Sequence, residues 1–197
     1  MEKNEATTIT YDYLVVINPD AHIARDVTHY KYMIAHELGE PRQSFSPAYI
    51  PLFRSEFPGC YEEDFIGVLA YLAQLQSAFT IYTSRIDHSE VGEQKHTIFV
   101  NVANPRPVEA LHSRIMNAFE VDAQHYRPQI TLARGLSSPA FEKVLKQIDN
   151  KLFVRSFYCH SFLLLRKPAM GGDYEVVREF SFGMDDPHDG PLFHRAA

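Results

Sequence analysis

The feature that most limits the fold is a pair of matched segments set far apart in the chain. Pro-Ala-Tyr-Ile-Pro-Leu-Phe-Arg occupies residues 47–54 and Pro-Gln-Ile-Thr-Leu-Ala-Arg occupies residues 128–134. Each reads as a short strand, and each stands between two helical patterns. Around them, 13–18 is a β-branched strand closed by Pro19-Asp20. The following helix carries Ile23, Val27, Tyr30, Ile34 and Leu38 at helical spacing, with Asp20 or Asn18 as cap and Gly39 and Pro41 as stop. A second helix runs over 62–76 with Phe65, Val68, Leu69, Leu72 and Leu75 inward. Strands at 78–86 and 95–102 join through a polar turn at 88–92. Pro105 and Pro107 open a helix over 108–119, with Leu111, Ile115, Ala118 and Phe119 on its apolar face. A helix capped by Ser137 or Ser138 covers 139–150, and strands at 156–166 and 174–182 end the chain's regular structure. The second half thus repeats the first in outline. An α+β fold follows: two pseudo-symmetric lobes of antiparallel sheet backed by helices, facing each other across a central cleft.

Length and composition bound the rest. The 197 residues suit one domain with one substantial core, expected over 10–183, with a flexible N-terminus at 1–9 and a loosely held tail at 184–197. A net charge of −6 argues against general electrostatic binding to long nucleic acid, and leaves room for a small cationic pocket. No apolar run approaches a membrane span, and the polar start Met1–Glu5 has no signal-peptide pattern, so a cytoplasmic protein is expected. Cys60 and Cys159 then read as free thiols. His22, His29 and His36 recur every seventh residue. Seven helical residues rise about 10.5 Å, too far for one metal ion with bonds of about 2 Å. With no phosphate loop and no dinucleotide fingerprint either, neither metal nor cofactor is expected. Composition leaves the oligomeric state open.

The two matched strands resemble the paired His-hydrophobic-Thr-hydrophobic strands of the 2H phosphoesterases, which include 2′-5′ RNA ligase-like proteins and cyclic phosphodiesterases. The resemblance covers about residues 10–183. It places Gln129 and Thr131 at the second motif's histidine and threonine positions. Tyr49 and Pro51 take those of the first motif, roughly 80 residues earlier. In that family, the resemblance implies, the two histidines act as general acid and base on either side of a phosphodiester while the threonine hydroxyls bind its oxygens. Alternate strand residues share a face, which is why such a pair has a one-residue gap.

The side chains here change that chemistry. Gln129 forms hydrogen bonds but carries no proton at neutral pH. Tyr49, with an unperturbed pKa of about 10, is no ready base. Pro51 has neither hydroxyl nor N–H and within a sheet belongs at an edge. Only Thr131 of the four signature side chains remains. General acid–base assistance is worth ~10² to 10⁴-fold, so the expectation is an inactive relative that binds a nucleotide, short RNA or other small phosphate ligand. Its expected ligand residues are Thr131, Gln129, Tyr49, Arg134 and Arg54, the arginines as forked anion binders. Tyr49, Phe53, Tyr82 and Tyr126 are possible base-stacking rings. Two alternatives compete. One is an active RNA 2′,3′-cyclic phosphodiesterase with His125 or His96 as relocated catalytic groups; the other is a scaffold for protein contacts.

Overall fold

A computed structural model describes residues 9–39, 46–92, 95–122, 125–148 and 151–183. The expectations for most of the N-terminus, for Pro41 and for the 184–197 tail lie outside these residues. The elements are β1 (Thr10–Ile17), α1 (Ala21–Leu38), β2 (Ile50–Pro58), α2 (Glu62–Gln74), β3 (Phe79–Val91), β4 (Lys95–Val102), α3 (Arg106–Ala118), β5 (Gln129–Ser137), α4 (Ser138–Ile148), β6 (Leu152–Cys159), β7 (Ser161–Pro168) and β8 (Glu175–Ser181).

The strands form two antiparallel sheets, ordered β2-β1-β7-β8 and β5-β4-β3-β6. The matched motifs lie at the start of β2 and β5, and both strands are sheet edges that approach each other. The lobes are interleaved rather than consecutive halves of the chain. The first sheet takes its strands from both ends of the sequence, and each sheet is backed by helices from separate stretches: α2 and α3 on the first, α1 and α4 on the second. The chain therefore crosses between lobes several times, which matched local patterns do not reveal.

Local chemistry explains most boundaries. Asp20 caps α1 by accepting from the Ile23 N–H at 2.9 Å, and Gly39 ends it at φ 73°. The buried face of α1 is Ile23, Val27, Lys31, Ile34 and Ala35, so the stripe is rotated enough to draw in a lysine. In α2 the buried residues are Phe65, Ile66, Leu69 and Ala73, while Leu75 falls past the helix end and is half exposed. In α3 Val108 and His112 join Leu111 and Ile115 inside, and Ala118 is exposed. β3 continues past Ile86 to Val91, paired with β4 from Thr83 onward. The segment expected as one strand over 156–166 is two strands in different sheets. The break comes at His160, whose carbonyl accepts from the Phe182 N–H at 2.8 Å.

Alternation along β1 divides core from cleft. Tyr13, Val15 and Ile17 join the core, where the Tyr13 ring stacks on Phe57 at 4.1 Å and its hydroxyl donates to Glu62 at 2.9 Å. Full burial of a large apolar side chain contributes about 1.5–3 kcal/mol. Asp12, Leu14 and Val16 fall on the opposite face, where Leu14 lines the cleft and Asp12 bonds to the wall residues Arg54 and Tyr174. Pro51 sits on an edge strand opposite Val16, beside the register shift between Val15 and Val16, where its missing N–H is tolerated. Among the described residues, no helix is long and apolar enough to cross a membrane.

Candidate ligand-binding cleft

Two adjoining cavities occupy the meeting of β2 and β5. The larger, about 380 Å³, has Tyr49, Pro51, Arg54, Tyr126, Arg134, Lys167 and Tyr174 in its walls. The smaller, about 200 Å³, is formed by Lys31, Ser46, Pro47, Tyr49 and the Thr131–Arg134 stretch of β5. Tyr49 and Arg134 belong to both. The walls of the two cavities contain four cationic side chains, Lys31, Arg54, Arg134 and Lys167, and no carboxylate among the described residues. This is a local reversal in a chain of net charge −6.

Four of the five sequence-expected ligand residues line these cavities: Tyr49, Thr131, Arg134 and Arg54. The exposed Arg134 guanidinium lies 3.4 Å from the Thr131 hydroxyl, so the two can hold one ligand oxygen set together. Gln129 shares the strand face of Thr131, two residues along β5, and stands opposite Asn101; its side chain is not among those lining the two cavities. The neighbouring polar groups there are joined to each other. Asn101 donates to Asp87 at 2.9 Å and accepts from Arg127 at 2.6 Å, and the Arg127 guanidinium lies over the Phe99 ring.

Arg54 is committed rather than free. Its Nε and Nη2 donate to both Asp12 oxygens at 2.8 and 2.7 Å, the Tyr174 hydroxyl donates to the same carboxylate at 2.6 Å, and Lys167 Nζ lies 3.7 Å away. Asp12 is 1% exposed. Burial alone would raise its pKa; the bonds from Arg54 and Tyr174 and the charges of Arg54 and Lys167 outweigh it and hold the carboxyl below 3.8. Arg54 thus shapes the wall and fixes Tyr174, and its role as a direct anion binder is secondary to that clamp.

The two lobes are tied at the motifs. Tyr126, before β5, donates its hydroxyl to the Pro51 carbonyl of β2 at 2.8 Å, and its ring stacks on His112 of α3 at 3.8 Å. Burial lowers the His112 pKa, favouring the neutral ring. His125 is exposed and outside the cavity walls. His96 faces α4, stacked on Phe141 at 4.2 Å with Nε2 3.3 Å from the Ser138 hydroxyl, and is not brought to the cleft. Of the suggested stacking rings, Tyr49 and Tyr126 line the larger cavity. Phe53 borders it while its ring packs on Phe119, and Tyr82 lies elsewhere on β3.

Three polar wall residues escaped the sequence reading: Lys31, Lys167 and Tyr174. Tyr174 follows a turn whose Gly171 and Gly172 both have positive φ, and it reaches a carboxylate 162 positions away, a contact with no local signature. Lys31 was detectable: it falls four after Val27 and three before Ile34, on the apolar face of α1. It is 6% exposed, and its ammonium donates to the Ser46 carbonyl at 2.7 Å and to the Ser46 hydroxyl at 3.3 Å. Burial, with the Arg134 charge added, holds its pKa below 10.5.

The fold has close counterparts among solved structures. E. coli LigT in apo form superposes with a TM-score of 0.65 at 18% identity, over 89% of this chain and 99% of that one. E. coli LigT complexed with 3′-AMP gives 0.65 at 19%, with the same coverage. TT0787 of Thermus thermophilus gives 0.62 at 17%, over 87% and 98%. At these identities the likeness establishes the fold: two four-stranded antiparallel sheets backed by four helices. No curated protein sequence matches the chain. Residues 19–169, from just after β1 to just past β7, match the family model of the 2′-5′ RNA ligase superfamily, and the chain belongs to that superfamily.

Proposed function

We propose that this protein binds a nucleotide or similar small phosphate compound in the β2–β5 cleft and lacks the acid–base catalysis associated with the paired histidines. The observation that carries the reading is the composition of the walls. Among the described residues, Lys31 and Arg134 line the cavities without a carboxylate partner, and Arg54 and Lys167, gathered on Asp12, add to the same walls; the motif resemblance puts Tyr49 and Gln129 at the two proton-transfer positions. Thr131 and Arg134 supply charge-assisted donors for phosphate oxygens. Tyr49, Tyr126 and Tyr174 supply rings beside them on which a base can stack. E. coli LigT, of similar fold, has been crystallised with 3′-AMP, with ATP and with phosphate, which fits a small phosphorylated ligand here.

Neither candidate for relocated catalysis improves on this. His96 is packed against α4 and His125 stands outside the walls. A thermal-shift panel of nucleoside monophosphates, cyclic nucleotides and short oligonucleotides tests the proposal. One-site ligand at 100 times its Kd stabilises by about 2.7 kcal/mol, a rise of roughly 5–10 °C for a chain of this size. At least one panel member should reach that shift. The shift should shrink in Arg134→Ala and with added salt. A panel that moves nothing would replace the binding reading with a scaffold role.

A further inference from the structure

A buried ammonium is unfavourable unless a countercharge accompanies it. Lys31 is 6% exposed, and the groups satisfying it, the Ser46 carbonyl and hydroxyl, are neutral. Among the described residues, no carboxylate forms an ion pair with Lys31 or with Arg134. Instead Arg134 places a second positive charge at the same cavity. The ammonium has three protons and Ser46 engages two. Around the same cavity of about 200 Å³ stand the Thr131 and Ser46 hydroxyls, each able to turn a proton toward an anion.

We propose that this cavity is a subsite for the dianionic terminal phosphate of a phosphomonoester, and that Lys31 is the residue that selects it over a phosphodiester. The inference rests on the cleft-binding reading and goes beyond it by fixing the charge state of the group bound. A terminal phosphate carries about −1.5 to −2 charge near neutrality, enough to neutralise Lys31 and Arg134 together. A diester has one negative charge to share between the exposed Arg134 and the buried Lys31, and leaves the ammonium only partly compensated. The rest of the ligand extends past Tyr49 and Arg134, shared with the larger cavity, toward Tyr126 and Tyr174.

Isothermal titration at neutral pH with 3′-AMP and with its methyl phosphodiester isolates the charge, since base and sugar are identical. The intact chain should bind the monoester at least about tenfold more tightly. Lys31→Met should bring that ratio close to unity while Arg134 maintains weak binding of both. Equal affinity of the intact chain for the two compounds overturns the inference and leaves the cleft reading standing; so does a ratio that survives Lys31→Met. Binding of neither compound overturns the inference, and together with a thermal-shift panel that moves nothing it overturns the cleft reading as well. The comparison in the intact chain decides the matter even if Lys31→Met disturbs folding.

Discussion

Replacing Lys31 by methionine keeps the buried stem and removes the ammonium, which separates what this residue does for stability from what it does for a ligand. In the unliganded protein the Lys31 side chain is buried beside Arg134 with its ammonium at the wall of the smaller cavity, and desolvating an ion costs up to several kcal/mol after relaxation. Against that stand two bonds to Ser46, hydrogen bonds to a charged group being worth about 1.5–3 kcal/mol each. Ser46 is exposed, so its carbonyl regains water when the ammonium is gone. The balance favours methionine by about 1–2 kcal/mol, a melting temperature higher by roughly 2–8 °C. The gain has a defined pH dependence. The folded chain holds the Lys31 proton less firmly than the unfolded chain, so native stability rises with pH between the depressed folded value and 10.5. The advantage of Lys31→Met is therefore full below that window and fades as pH climbs through it. Calorimetric melts of both proteins across neutral to alkaline pH measure this directly. A lower melting temperature for Lys31→Met, or a gain that ignores pH, would mean that the ammonium has a countercharge, and the anion-subsite reasoning would fail with it.

Two further substitutions probe the cleft. Asp12→Asn removes the carboxylate that gathers Arg54, Lys167 and Tyr174; because Arg54 is 59% exposed and can be solvated, the loss should be about 1–3 kcal/mol, read as a melting point lower by several degrees. In the intact protein the same contribution is complete above 3.8 and is lost as pH falls through the lower folded value of Asp12, so acid should narrow the gap between the two proteins. The triple change Tyr49→His, Pro51→Thr and Gln129→His returns acid–base groups and the second hydroxyl. It should raise hydrolysis of a 2′,3′-cyclic nucleotide by ~10²-fold or more over the intact chain by chromatographic assay, and no gain would indicate that the β2–β5 spacing no longer brackets a phosphodiester.

Much of the local structure was legible because its causes are local. The Asp20 cap, the Gly39 stop, the Phe65–Leu69 face of α2 and the edge placement of Pro51 each follow from one residue's geometry or from a short spacing. The interleaved sheets were not legible, since antiparallel pairing of β1 with β7 joins residues about 150 positions apart through contacts that any apolar strand could make. The His160 break was hidden for a related reason. An unbroken run of strand-forming residues gives no sign that its two halves enter different sheets. At the site, the motif strands bring Tyr49, Thr131 and Arg134 to the cavity walls, while Gln129, two residues before Thr131 on β5, is not among the lining residues of these two cavities. The sequence offers Arg54 as an anion binder and does not identify Asp12 as the carboxylate that holds it, because that pairing across β1 and β2 exists only in three dimensions. Lys31 is the instructive omission: a charge on an apolar helix stripe conflicts with burial, and such a conflict between local pattern and environment is a pointer to function.

The central claim, that the cleft holds a phosphate compound without turning one over, is tested most directly by one ³¹P NMR time course on a sample containing the protein, 3′-AMP and 2′,3′-cyclic AMP. The account predicts that the 3′-AMP resonance shifts or broadens relative to a protein-free control while the cyclic phosphate resonance keeps its full intensity. A new monoester resonance growing at the expense of the cyclic one, or a 3′-AMP resonance indistinguishable from the control, would contradict it.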